Sequence, residues 1–358
     1  MNGTIDNCVA ILKKLYRIQA KTGQEETMIN YLVSLILTLV PEVQIEVVEK
    51  NIYVTKGVSE TYPCIASHID QVQPICKDIT VFEQCGIFFG FDFVARKQVG
   101  LGADDKNGVF LAILAIMNTP IIKAVFFHGE ETGCNGSNKC DMTFFDNVRY
   151  VVQCDRKGNS DFVNQGSSVD LCSKEFETDC QLERFGYKAC SGGTTDVVAL
   201  KKQGLKVSCV NLSVGYENQH KDNETASLPD IRKCWEFVQH ILTLDKVYPH
   251  TYTTPTTTYG NYDYNYYNGY WYNRKYKQGT LPFDTPNVNP YYKPKKKAIT
   301  AVVVIPIKEQ RHNMELLLTD YIVNQDSMDL HDLYRENCNQ FPDLPYFEFE
   351  IALNHMLN

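Results

Sequence analysis

The sequence predicts an α/β fold, a three-layer sandwich in which a mostly parallel mixed sheet is flanked by helices. Two observations support this prediction. Short apolar runs, of the kind found in buried strands, alternate with helix-like stretches along residues 1–248. Charged residues also follow several of these apolar runs directly, at the point where a strand would end. This alternation is typical of helices packed on both faces of a parallel sheet.

The predicted elements follow one another without an internal repeat. Residues 4–20 and about 25–39 have apolar positions at a helical period, and Pro41 ends the second helix. Residues 43–49 and 52–56 are predicted to form a hairpin. The remaining predictions are strands at 63–67, 121–127, 150–154 and 207–212, short strand signals within 71–99, helices at 109–117, 196–202 and 229–246, and a helix-compatible stretch at 171–185.

The composition changes abruptly after residue 248, which is the predicted end of the catalytic domain. About half of the 22 tyrosines lie between residues 251 and 292, among Thr, Asn, Gly and Pro, with little aliphatic material for a core. We therefore predict a linker at 249–297, which could serve as an adhesive segment for protein contacts. Residues 298–358 are predicted to be a small α+β module without an assigned role.

Bulk properties exclude several classes of function. The net charge of −8, without a basic stripe, argues against a nucleic-acid partner. The longest apolar run near the start covers about half of a membrane span, so no transmembrane segment is predicted. The 13 cysteines are odd in number and contain no Cys-x-x-Cys pair. With no secretory signal at the start, a reducing, cytoplasmic location is expected.

Charged side chains cluster at the predicted carboxyl ends of the strands, where ligand sites of parallel sheets lie. Asp104 and Asp105 are adjacent in a glycine-rich turn before an apolar helix, and two neighbouring anions are unfavourable there unless a cation is present. Two imidazoles and several carboxylates suit zinc, manganese or cobalt rather than a thiolate-bound metal. The sequence therefore predicts a pair of divalent metal ions among His68, Asp104, Glu130, Glu131, Asp155 and His220.

These motifs resemble those of the di-zinc exopeptidase superfamily, which contains peptidase T-like tripeptidases, glutamyl-type aminopeptidases and compact leucyl aminopeptidases. The resemblance covers residues 5–245, and the motifs occur in the family's order. They are His68-Ile-Asp70, Gly-Ala-Asp-Asp-Lys-Asn-Gly at 102–108, Glu130-Glu-Thr-Gly133, Asp155, Gly-Gly-Thr-Thr-Asp at 192–196, and His220 before Glu224.

The resemblance implies a role for each matched residue. Asp104 would bridge both ions, often with a cis peptide before Asp105. His68 and Asp155 would complete the ligands of one metal ion, and Glu131 and His220 would complete those of the other. Asp70 would hold the far nitrogen of His68. Glu130 would be the general base acting on a water molecule that bridges the metals.

Other residues near these motifs leave two interpretations open. Gly193, Thr194 and Asp196 would shape the part of the site that holds the substrate's α-amino end, or would only cap the following helix. Asp105 would do no more than brace its turn, and His128 is expected to be structural.

The implied function is a di-zinc aminopeptidase or small-peptide exopeptidase, with Mn²⁺ or Co²⁺ as alternative metals. Many relatives insert a lid domain, but intervals 71–103 and 156–190 are too short for one, which favours an aminopeptidase. An alternative is an amidohydrolase of N-acyl amino acids, with Arg156 or Arg184 gripping the substrate carboxylate. A third hypothesis, from another class, is a catalytically silent binding protein that acts through its Tyr-rich segment.

Overall fold

The computed structural model describes residues 4–252 and, beyond them, Met314 and Leu318, which are buried helical residues. The predicted C-terminal module at 298–358, apart from these two residues, lies outside the described part of the chain, as does the predicted linker after residue 252. None of the helices in the described part has the length and apolar character needed to cross a membrane.

The described chain forms helices and strands close to the predicted positions. The helices are α1 (Ile5–Arg17), α2 (Glu26–Leu39), α3 (Ala103–Asn118), α4 (Lys174–Asp179), α5 (Asp196–Lys202) and α6 (Leu228–Leu242). The strands are β1 (Gln44–Val48), β2 (Asn51–Lys56), β3 (Tyr62–His68), β4 (Ile79–Gln84), β5 (Ile87–Asp92), β6 (Lys97–Val99), β7 (Ile122–Phe127), β8 (Val148–Arg156), β9 (Asp161–Gly166), β10 (Val169–Asp170), β11 (Lys188–Gly192), β12 (Cys209–Ser213), β13 (Tyr216–Glu217) and β14 (Thr225–Ser227). Short 3-10 turns lie at Glu130–Thr132, Ser137–Lys139, Met142–Phe145 and Leu182–Phe185.

A nine-stranded mixed sheet forms the centre of the molecule, with the order β1-β2-β7-β3-β8-β12-β9-β10 and with β11 added beside β9. The four central strands, β7-β3-β8-β12, are parallel, whereas β1-β2-β7 at one side and β12-β9-β10 at the other pair in antiparallel fashion. The prediction of a mostly parallel sheet therefore describes its centre. Its carboxyl edge is where β3 and β8 end side by side.

Helices cover both faces of this sheet, which confirms the predicted three-layer α/β sandwich. Alternate residues of a strand point to opposite faces. Ile65 of β3 packs in the core that contains α1, α2, α3 and α6, whereas its neighbours Cys64 and Ala66 pack in the core that contains α5. Nearly every residue of α3 is buried, so the Asp-Asp turn at its start is held by a helix embedded in the fold.

A second sheet, of five strands, was not foreseen as a unit, and three of its strands come from the interval 71–103. Strands β4, β5 and β6 form a meander, and β14 joins it by pairing Ala226 with Phe88. The order is β13-β14-β5-β4, with β6 beside β5. The interval thus holds a short meander rather than an inserted domain, and this meander connects to the loop that carries His220.

One local prediction differs from the structure. The stretch 171–185 is not one helix, because α4 ends at Asp179 and Gln181 takes a left-handed backbone conformation (φ +54°) that interrupts it. The fold also continues past residue 248: the His250 N–H donates to the Lys206 carbonyl (2.8 Å), and Pro249 pairs with Val207. These contacts extend the described fold to residue 250, and the domain bounds stay a prediction.

Candidate metal centre

Three donor side chains meet at the end of the parallel strands. His68 is the last residue of β3, Asp155 lies one residue before the end of β8, and Asp104 comes from the first turn of α3. The His68 Nε2 atom is 3.1 Å from the Asp104 Oδ1 atom and 3.5 Å from the Asp155 Oδ1 atom. All three residues are buried, and one donor atom from each falls within 4.8 Å of the other two.

A second group of three donors shares Asp104 with the first. His220 Nε2 lies 3.2 Å from Asp104 Oδ2 and 3.0 Å from Glu131 Oε2. Glu131 belongs to the 3-10 turn after β7, and His220 lies in the loop after β13 with a left-handed backbone (φ +63°). The two oxygens of Asp104 therefore face different groups, which is the arrangement a carboxylate needs to bridge two ions.

These donor sets fit divalent metal ions on two further observations. Ligands at ~2.0–2.1 Å from a tetrahedral zinc ion are about 3.4 Å apart, which is close to the separations found here. In addition, Glu131 Oε1 is a buried oxygen without a hydrogen-bond partner among the described residues, so it remains available to a cation. Nitrogen and carboxylate donors together suit zinc, manganese or cobalt.

The electrostatics of the cluster show that its anions exceed its cations. Burial, followed by the charge of Asp104, raises the pKa of Asp155 well above its usual value. Burial works to lower the pKa of His68, but the surrounding carboxylates, Asp155 foremost, raise it further than burial lowers it. Hydrogen bonds to Asp104 and then Glu131 raise the pKa of His220 to about 10. Both imidazoles are thus pulled towards a positive charge, which a divalent ion would supply more effectively.

Two carboxylates hold the Asp-Asp turn without facing the donors. Asp105 is fully buried and accepts the N–H groups of His68 (3.2 Å) and Gly108 (3.0 Å), as its predicted bracing role requires. Glu224 is also buried and accepts the N–H groups of Gly102 (2.7 Å) and Asp104 (3.3 Å). The peptide bond between Asp104 and Asp105 is cis.

Asp70 connects His68 with the turn that carries the two glutamates. Its Oδ1 atom lies 3.4 Å from His68 Nδ1 and accepts the Glu130 N–H (2.9 Å). Its Oδ2 atom accepts the Thr22 hydroxyl (2.7 Å) and the Glu131 N–H (3.3 Å). The His68 Nδ1 atom is closer to the Asp70 carbonyl (3.1 Å), so backbone and side chain of Asp70 both fix the ring.

Glu130 lines the same cavity as the donors but belongs to neither donor group. Burial is the main cause that raises its pKa, to about 8, and the charges of Asp196, Glu131 and Asp104 add to the effect. The buried thiol of Cys134 donates to Glu130 Oε1 (3.4 Å). Glu130 is therefore a carboxylate beside the donor cluster with one oxygen held in place.

A cavity of about 150 Å³ opens onto the donor cluster. Among the predicted substrate residues, Gly193 and Thr194 line it. Asp196 does not: it is fully buried and accepts the Ser137 hydroxyl (2.6 Å) and the Gln153 amide (3.1 Å). Asp196 is the first residue of α5, and its role in the site stays a prediction.

Some residues around the site were not anticipated. The Gln153 amide also donates to Asp155 Oδ2 (3.1 Å), which links Asp155 to Asp196 through one side chain. Gln153 lies two positions before Asp155 on the same strand, and this spacing was the only signal available.

Arg156 lines the cavity, whereas Arg184 lies on a 3-10 turn and donates to Gln181. His128 makes its contacts through the backbone, accepting from Gly136 and donating to Asn51.

Sequence comparison gives no relatives: no family model matches the chain, and a search of curated proteins finds no match. Solved structures do match. The chain is similar to an aminopeptidase PepT from Bacillus cereus, with 17% identity, 68% of this chain and 99% of that chain covered, and a TM-score of 0.54. A tripeptidase from Staphylococcus aureus matches with 14% identity over 67% and 98% of the two chains and a TM-score of 0.53.

A third solved structure, from an archaeon, is similar to this chain to the same degree. A TET aminopeptidase from a marine-sediment Thaumarchaeota archaeon matches with 12% identity, 68% of this chain and 98% of that chain, and a TM-score of 0.53. At such identities the likeness establishes the fold. The described part of the chain therefore shares the α/β fold of these solved peptidase structures, and the roles of individual residues remain predictions.

Proposed function

We propose that this protein is a metal-dependent exopeptidase that hydrolyses the N-terminal peptide bond of short peptides. One observation carries the proposal: two donor groups share Asp104, and Glu130, which is free of both groups, lines the same cavity. The fold shared with solved aminopeptidases supports it.

The ligand assignment gives each side chain a distinct task. His68, Asp104 and Asp155 would hold one divalent ion, and Asp104, Glu131 and His220 the other. Two such ions would supply Lewis acidity towards the peptide carbonyl and towards a water molecule. Glu130 would take a proton from that water and return it to the departing amine, so it acts first as base and then as acid. Cys134 and the Asp70 contact with the Glu130 N–H would orient this carboxylate.

Metal analysis and peptide assays together test the proposal. The purified full-length protein would be stripped with a chelator, reloaded with Zn²⁺, Mn²⁺ or Co²⁺, and assayed on free-amine dipeptides and tripeptides. We expect hydrolysis only after reloading. Glu130→Gln should lose about 10²–10⁴-fold in kcat at unchanged metal content. Glu183→Gln, an exposed glutamate away from the cavity, is the matched control and should retain full activity. Equal rates before and after metal removal would exclude this chemistry.

Hydrolysis of N-acyl amino acids at the same site is a second candidate, because Arg156 lines the cavity and a guanidinium can hold a substrate carboxylate. Comparing a free-amine dipeptide with the corresponding N-acetyl amino acid separates the two candidates. Faster hydrolysis of the acetylated compound would favour the second.

A further inference from the structure

Two basic side chains line the cavity and have no part in the proposed chemistry. Arg156 and Lys157 directly follow Asp155 and belong to the same cavity wall as Thr194 and Tyr216. The acidic and basic side chains of the lining, leaving His220 aside, sum to a formal charge of −2, which two divalent ions would change to +2. With its metals the cavity would thus favour one more anionic group.

The guanidinium of Arg156 is held at the edge of the cavity with donors to spare. Its Nε atom donates to Asp161 Oδ2 (3.1 Å). Asp161 and Val163 lie on the same face of β9, two residues apart, and Val163 lines the cavity. Within residues 4–252, the two terminal nitrogens of Arg156 make no hydrogen bond. These two nitrogens are the pair that a guanidinium uses for bidentate binding of a carboxylate.

Lys157 adds an unpaired ammonium on a fixed stretch of backbone. Its side chain is exposed and forms no ion pair in the described part of the chain. Hydrogen bonds connect the backbone around it to strands β12 and β13, which precede the loop that carries His220. The Lys157 carbonyl accepts the Ser213 hydroxyl (2.6 Å), and the Gly158 N–H donates to the Tyr216 carbonyl (2.9 Å). A basic pair on a rigid support loses little entropy when it binds an anion.

The position of the two basic residues restricts where that anion can lie on a peptide. Arg156 and Lys157 line the same cavity, of about 150 Å³, as the donor side chains of Asp104, Asp155 and His220. An anion that they bind therefore lies close to the scissile bond. Two sources satisfy this: the side chain of an acidic residue, and the C-terminal carboxylate of a dipeptide.

We propose that Arg156 and Lys157 bind a carboxylate of the substrate, so that peptides with a carboxylate next to the scissile bond are the preferred class. This inference rests on the proposed peptidase function. Arg156 supplies the bidentate contact and Lys157 a second positive charge. The lining also contains the neutral side chains of Thr194, Asn211 and Gln219, which would not select against an anion.

Two matched substrate pairs test this on the full-length, metal-loaded protein. Glutamyl and glutaminyl p-nitroanilide differ only in a side-chain charge, and Ala-Ala and Ala-Ala-amide only in the terminal charge. The quantity measured is the ratio of kcat/KM, charged over neutral. We expect about 10-fold or more for one pair in the wild type. Arg156→Met should bring this ratio down to within about threefold of one, and Lys157→Met should lower it. Arg184→Met, the matched control, should leave it unchanged, and Arg156→Lys should retain part of it.

Each outcome decides between the two proposals. A preference confined to the glutamyl pair identifies a side-chain carboxylate, and one confined to the dipeptide pair identifies the terminal carboxylate. Two outcomes overturn this inference and leave the peptidase function intact. In the first, the compounds are hydrolysed but the ratio of kcat/KM, charged over neutral, is near or below one in both pairs. In the second, the ratio found in the wild type persists in both Arg156→Met and Lys157→Met. If no compound is hydrolysed, the peptidase function fails instead. In that case calorimetry measures the binding of L-glutamate and L-glutamine, and of the two alanine compounds, to wild type and Arg156→Met. The same criterion, the ratio of charged over neutral, is then applied to the binding constants.

Discussion

Replacing Asp70 by asparagine should weaken the metal centre and the fold together. The Asp70 carboxylate accepts from Thr22 and from the N–H groups of Glu130 and Glu131, and it lies beside the His68 ring. An asparagine keeps one oxygen and turns an NH₂ group towards the donors of the other, so one or two hydrogen bonds to a charged acceptor are lost. Each contributes about 1.5–3 kcal/mol, and we expect the free energy of unfolding to fall by about 2–4 kcal/mol.

The metal affinity should fall as well, because Asp70 orients His68 and positions the backbone that carries Glu131. Loss of such a supporting residue typically weakens metal binding by about 10–100-fold. Competition with a chelating zinc indicator measures the dissociation constant, and urea unfolding of the metal-free protein measures stability. Asp179→Asn is the matched control, since Asp179 bonds Tyr248 and Lys246 away from the site and should leave the metal affinity unchanged. A dissociation constant within twofold of wild type for Asp70→Asn would refute the reasoning.

Three further changes should separate metal binding from support of the fold. His68→Ala should abolish metal binding and peptidase activity together, as measured by elemental analysis and peptide assay, and retention of both ions would contradict the ligand assignment. Gly108→Ala should destabilise the protein by about 2 kcal/mol, because a Cβ atom there would overlap the Asp105 carboxylate. Gly193→Ala, where a Cβ meets open space, is its control in thermal unfolding. Glu224→Ala should lower the free energy of unfolding by about 2–5 kcal/mol, since it leaves two buried N–H donors without an acceptor, and an unchanged urea midpoint would rule this out.

The strand-end chemistry of the site was predictable from sequence for a simple geometric reason. In the central parallel strands, Ile65 of β3 pairs with Val152 of β8, so residues three positions further along each strand reach the same edge. Those residues are His68 and Asp155. Their apolar runs define the strands, and the rule that ligands gather at the carboxyl edge of a parallel sheet then brings them together. The individual ligand roles came from the resemblance to a family and not from this rule.

Features that depend on long-range pairing could not be predicted in the same way. The second sheet joins β5 to β14 across more than 130 residues, and nothing in the local pattern of either strand names its partner. The helix-compatible stretch at 171–185 is only partly helical for a local reason, since Gln181 adopts a left-handed conformation that the pattern does not encode. The contribution of Arg156 to the cavity likewise depends on the path of the backbone after β8.

The hardest distinction to make from sequence is between carboxylates that support the site and carboxylates that remain available to metal ions. Asp104 and Asp105 are adjacent, yet Asp105 is engaged by two backbone N–H groups whereas both oxygens of Asp104 face imidazoles. Glu224 is likewise engaged by backbone N–H groups, whereas Glu131 has a buried oxygen with no partner among the residues described. Backbone N–H groups stabilise a carboxylate without a metal ion, so the supporting carboxylates hold the turns in place by themselves. The carboxylates that accept no backbone N–H group are the ones whose mutual repulsion a divalent cation would relieve. Which carboxylate takes which part is set by the course of the backbone around it, and residue type alone does not record that.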